Sequence, residues 1–207
     1  MKKKRKLKKK VIVLIVLIVI LVLSVIGFII YKSFDKQPSH AKVIDEISEY
    51  GYVLEEDQPK IYKDLFKELV TVLSKEEVDE KRYSELISQM FAIDFYNLDN
   101  KVSKNDVGGT QFVMEDYVDN FVLKASDTVY KYVEQNIYGD RKQQLPIVTS
   151  SEVKNIENDK YSYKDIKDDN VYIITVKLGY KDDMDYPEEV TVKLFHNDKK
   201  LEIYEME

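Results

Sequence analysis

Asp94 and Tyr96, followed by Asn105, Asp106, Gly108 and Gly109, are the densest set of chemistry-bearing residues in this 207-residue chain. A carboxylate and a phenol that face an apolar cavity can pass a proton to and from a ligand, and Tyr117 offers a second phenol for the same task. Two glycines placed after Asn and Asp can also turn successive backbone N–H groups into a concave nest ahead of a helix, which holds an anion. The commoner use of these residues is structural. On that reading Asp106 or Thr110 caps the following helix, and the glycines only permit the turn. With 16 Tyr and no Trp, tyrosine is also the main large aromatic available to fill core and rim. The structural reading is therefore the expectation. Arg141, soon after Gly139, either pairs with one of many acids or presents its guanidinium to a partner.

Other chemistries lack their residues. There is no Cys, so disulfides and thiolate catalysis are excluded. His40 and His196 are the two histidines, too few and too isolated for a zinc site, and no nucleophile elbow accompanies either. Asp182, Asp183 and Asp185 form an acidic stretch without the glycine and terminal glutamate of a calcium loop. Neither phosphate-binding glycine motif, GxxxxGK[ST] or GxGxxG, occurs. The expectation is a non-catalytic protein with no cofactor and no metal.

Eight of the first ten residues are Lys or Arg, and the twenty from Val11 to Ile30 carry no charge. As a helix rising about 1.5 Å per residue, such a stretch covers the roughly 30 Å hydrocarbon core of a bilayer. The run is longer than a signal-peptide core and lacks a good cleavage site, so it predicts an uncleaved anchor with a cytoplasmic N-terminus. The expected layout is a basic stub at 1–10, a transmembrane helix at 11–31, a tether at 32–41 and an extracytoplasmic domain at 42–207. Removing the eight basic residues of the stub from a total of 32 leaves 24 against 38 acids, a net charge of minus fourteen beyond the span. Such a domain repels nucleic acid and anionic lipid surfaces.

Within the domain the pattern changes period. Ile61, Leu65, Leu69 and Leu73 mark one helix after Pro59; Tyr83, Leu86, Ile87, Met90 and Phe91 mark a second, started by Asp79 or by Ser74 with Glu77. A third helix is predicted from Gly109 toward Gly139, with Val113, Tyr117, Phe121, Ala125, Val129 and Tyr132 on one side. After Pro146 the period falls to two. Tyr172, Ile174, Val176 and Leu178, then Val190, Val192 and Leu194, then Leu201 and Ile203 predict an antiparallel meander, with a weaker strand from Glu152 to Tyr163. Asp168–Asn170 and Asn197–Lys200 read as tight connections, and Asp182–Pro187 as a longer loop. The fold class is α+β, about three helices packed on one face of a curved antiparallel sheet.

This order of basic stub, span, tether, helices and curved sheet resembles the membrane-anchored, cone-shaped domains of the nuclear transport factor two-like superfamily. The run from Asp94 to Gly109, DFYNLDNKVSKNDVGG, is similar to a segment of uncharacterised Gram-positive envelope proteins. The resemblance implies a cone whose cavity serves ligands, partners or neither, and it carries over no functional residue. The expectation is an interaction module of the cell envelope, held in the bilayer through residues 11–31 and contacting another envelope protein, in an assembly of the secretion, conjugation or wall-associated kind. The alternative is small-molecule binding or proton transfer in a cavity between sheet and helices.

Overall fold

The computed structural model describes residues 41–163 and 166–207, together with Leu21 and Ser24. The chain divides into two units, Met1–His40 and Ala41–Glu207. In the first, Leu21 and Ser24 are helical, and the Ser24 hydroxyl donates to the Leu21 carbonyl at 2.8 Å. The rest of the predicted stub, span and tether up to and including His40 lies outside the described residues. Among the described residues no helix is long and apolar enough to cross a membrane.

The second unit is α+β, with three helices and a curved antiparallel sheet. Helix α1, Lys60–Leu73, buries Tyr62, Phe66, Leu69 and Val72, residues three or four apart that share one face of a 3.6-residue period. Helix α2, Glu80–Tyr96, starts where the Asp79 carboxylate accepts from the Arg82 N–H at 3.0 Å, which settles the start at Asp79 rather than Ser74. From Leu86 to Tyr96 every residue of α2 is buried, so it is the central helix of the core and not a one-sided stripe.

The third helix departs from expectation. Gly109, at φ +79°, leads into a single 3-10 turn at Thr110–Phe112, and helix α3 runs only from Glu115 to Asp127 with no side-chain cap. Val113 bridges to Ile203 as a strand would, and the Met114 N–H donates to the Ile203 carbonyl at 2.9 Å. That pairing holds residues 113 and 114 extended and delays the helix. Neither Asp106 nor Thr110 caps it, and Tyr132 lies beyond its end with 75% of its surface exposed.

Strands β1, Val43–Ile47, and β2, Tyr52–Glu55, pair as a short hairpin that the sequence pattern did not announce. Strands β3, Val148–Tyr163, β4, Ile166–Tyr180, β5, Glu189–Asn197, and β6, Lys200–Met206, form the expected meander. Strand β3 starts four residues ahead of the predicted Glu152. Asp168–Asn170 lies inside β4 instead of connecting strands, because the β3–β4 ribbon extends beyond the register of β5. Tyr172, Ile174, Val176 and Leu178 are all buried on the helix side.

The sheet curls. Strands β3 and β6 are its two edges, and at the usual interstrand spacing flat edges of four strands stand about 14 Å apart. Yet the rings of Tyr161 on β3 and Tyr204 on β6 approach to 4.4 Å between centroids. Together with Met114, Val171 and Phe195 they make a second apolar cluster beside the main core.

Candidate functional site

The Asp94 constellation closes on itself. Asp94, Lys101 and Gln58 are 6%, 5% and 4% exposed, and Lys101 Nζ lies 2.6 Å from Asp94 Oδ1. The same oxygen accepts from Gln58 Nε2 at 2.8 Å, while Oδ2 accepts from the Gly109 N–H at 2.6 Å. Burial alone raises a carboxyl group, but the Lys101 charge and these hydrogen bonds outweigh it and hold Asp94 below the usual carboxylate range. Burial likewise works against the Lys101 ammonium, yet Asp94 keeps it above the ordinary lysine value. The Gly108 N–H donates to the Tyr130 hydroxyl at 3.0 Å, and that hydroxyl donates to the Phe95 carbonyl at 2.6 Å. The glycine turn does hold an anion, and the anion is the protein's own Asp94.

The other nominated residues divide. Asp106 accepts from the Val102 N–H at 2.8 Å and so orders the turn that carries Lys101. Among the described residues Arg141 makes no ion pair. Its Nη1 donates to the carbonyls of Lys101 and Glu134 and its Nη2 to that of Asp99, so it ties the segment after α3 to the same turn. Tyr96 is buried edge-on against Phe95, at 4.9 Å between centroids. Asn105 is exposed. Tyr117 lines a cleft whose lining does not include Asp94.

This cleft is open, of about 520 Å³, and lies between α3 and the β6 edge of the sheet. Phe91 and Phe95 of α2 line it from the core, Tyr117 and Phe121 from α3, and Tyr161, Tyr204 and Met206 from the curled sheet. The three stacked or tilted contacts among Phe91, Phe95 and Phe121, at 5.3 to 5.9 Å, make a continuous aromatic wall. Its polar groups are few: Asn120, Lys124 and Thr128 on the helix side and Glu205 opposite. Glu205 is already bonded to Lys193 at 3.0 Å. An apolar body with a few convergent polar groups is what a small-ligand pocket offers, and such pockets run about 300–1,000 Å³.

The comparisons give no match. Neither a known protein family, nor a curated protein, nor a solved structure resembles the chain. Its own geometry therefore carries the functional reading.

Sequence reasoning passed over two sets of residues. Lys101 and Gln58 carried no signal, since a lysine and a glutamine are surface residues by default. His196 read as incidental, yet it bridges two elements. Its Nδ1 lies 2.8 Å from Asp168 Oδ2 and its Nε2 2.6 Å from Glu80 Oε2, and its backbone N–H also donates to Asp168 at 2.7 Å. Two carboxylates on the two ring nitrogens require both nitrogens to donate, which is the imidazolium form. Burial lowers the imidazole, but the bonds to Glu80 and Asp168 prevail and raise it above the ordinary histidine value. A raised folded value means the stabilisation is fully present below the unfolded value of about 6.5 and is lost as pH rises through the folded value. Solvent screening at this partly exposed site keeps the effect within about 1 kcal/mol. Urea unfolding should show the advantage of wild type over His196→Gln shrinking between pH 6 and pH 8.5; a constant difference contradicts the bridge.

Proposed function

We propose that the protein is a membrane-anchored, non-catalytic binding module of the cell envelope, with residues 42–207 outside the cytoplasmic membrane and the α3–β6 cleft as its working surface. One observation carries the choice of surface. The polar constellation around Asp94 is occupied by its own side chains and backbone, whereas the aromatic cleft is open and presents Lys124, whose ammonium makes no ion pair among the described residues. The basic stub and the uncharged stretch that follows support the anchor. The helices, the curved sheet and the cleft between them support the cone-shaped, nuclear transport factor two-like reading.

In this reading the occupant is presented by another envelope protein, in an assembly of the secretion, conjugation or wall-associated kind. The cleft volume favours a second form, a small ligand, over proton transfer, because Asp94 is engaged by Lys101 and does not line the cleft.

Two measurements on the full chain test this. Protease added to intact, wall-stripped cells should remove residues 42–207; protection that disappears on lysis contradicts the sidedness. A photo-cross-linking amino acid at Tyr117 should give an adduct of discrete mass that the same group at Lys67, exposed on α1, does not. Equal labelling at both positions, or none, contradicts the cleft.

A further inference from the structure

We propose that the α3–β6 cleft takes an apolar monocarboxylate, with the hydrocarbon or aromatic body against Phe121, Tyr161 and Tyr204 and the carboxylate on Lys124 Nζ. This rests on the reading of the cleft as the binding surface and adds the chemistry of its occupant.

The body of the ligand follows from the lining. Phe91 and Phe95 close the inner wall, and Tyr117, Phe121 and Tyr204 leave part of their rings exposed, so apolar surface there is still available for burial. The more of it a ligand covers, the larger the hydrophobic contribution, before the costs of ordering.

The head group follows from charge. Lys124 is exposed at the cleft, and among the described residues its ammonium makes no ion pair. The carboxylate across the cleft, Glu205, is held with Glu207 on Lys193, each at 3.0 Å, so it does not reach for Lys124. Asn120, one turn before Lys124 on the same helix face, adds an amide donor within the same lining. A cation and an amide donor beside an aromatic wall fit one anionic head on an apolar tail. The long-range field works the other way. The domain is acidic, which slows the approach of an anion without removing the local contact, so binding should strengthen as salt is added at low ionic strength.

The test uses the full chain in lipid nanodiscs and three water-soluble probes with one body: 4-phenylbutyrate, 4-phenylbutan-1-ol and 4-phenylbutyl-trimethylammonium. Tyrosine emission reports binding, since the chain has no Trp. The carboxylate should bind most tightly. Lys124→Gln should weaken it about tenfold, the size of one lost charge-assisted hydrogen bond, and leave the alcohol unchanged. Phe121→Ser should weaken all three probes.

Equal affinity for carboxylate and alcohol in wild type, or no response to Lys124→Gln, overturns the anionic head. Preference for the ammonium overturns it in favour of an aromatic cage for cations. Absence of binding by all three, with the Tyr117 adduct still formed in cells, overturns this inference while the cleft remains a binding surface for a macromolecule. Absence of both removes the cleft as well.

Discussion

Lys101→Met should destabilise the domain by about 3–5 kcal/mol, the cost of leaving a buried carboxylate without its cation. Domains of this kind are stable by about 5–15 kcal/mol in total, so the variant should sit close to unfolding. The lysine side chain is 6% exposed and that of Asp94 8%, which leaves neither group a route to water. The pair is not itself the source of great stability, since taking two charges out of water offsets most of their attraction. Asp94→Asn combined with Lys101→Met should therefore recover more than half of the loss, because the amide oxygen still accepts from the Gly109 N–H.

The pH dependence of this pair has a definite sign. Wild-type Asp94 titrates below its unfolded value, so its contribution is present above about pH 4 and is lost as pH falls through the folded value. In Lys101→Met the cation no longer opposes burial, and with only the Gln58 and Gly109 hydrogen bonds left to hold it down Asp94 rises from its wild-type value. A raised carboxyl favours folding in its protonated form, so the penalty of the variant should shrink as pH falls toward 4. Urea unfolding of both proteins between pH 4 and pH 7 checks this; a penalty that grows toward acid contradicts the buried pair.

Gly108→Ala should be comparably damaging, at about 3–5 kcal/mol, for a steric reason. A Cβ at Gly108 would stand 2.1 Å from the Asp94 carbonyl oxygen, which is backbone and cannot swing aside. The turn has to move, and movement separates the Gly109 N–H from Asp94 and the Gly108 N–H from Tyr130 together. Gly139→Ala is the comparison. Gly139 also has a positive φ, of 72°, but nothing lies within 4 Å of an added Cβ, so only the left-handed strain of about 1–2 kcal/mol applies. Equal losses in the two variants, measured by chemical unfolding, would mean that the Asp94 turn is looser than its geometry states.

These sites show what was legible in the sequence. The stripe of α1 and the alternation of β4, β5 and β6 were visible because one face of each element is buried and periodic, whereas α2 was visible through its apolar residues although it is buried on all sides from Leu86 to Tyr96. The β1–β2 hairpin was not, since Val43, Ile44, Asp45 and Glu46 are all exposed and leave no alternation to read. Strand β3 was underestimated for the same reason: most of its outward residues are polar, and it is defined by backbone pairing to β4 along its length. The start of α3 was misplaced because Val113 and Met114 join the β6 edge, a tertiary contact that overrides local periodicity.

The candidate residues divide by the same logic. Asp94, Asp106, Gly108 and Gly109 were found together because glycine beside acids is a local signal, and Arg141 joins them only through long-range carbonyl contacts. Their purpose was not readable, since the partner that decides it, Lys101, is an unremarkable lysine until it is buried. The cleft was readable only in part. Tyr117 and Phe121 lie on a predicted helix face, but Tyr161 and Tyr204 meet through the curl of the sheet, which sequence spacing does not encode.

The most direct measurement of the central claim is amide and ring NMR of the full chain titrated with 4-phenylbutyrate. The account predicts shifts at Tyr117, Phe121, Lys124, Tyr161 and Tyr204, with the amides of Gly108 and Gly109 unmoved. Shifts centred on Gly108, Gly109 and Lys101, with the cleft silent, would contradict it and return the binding role to the Asp94 turn.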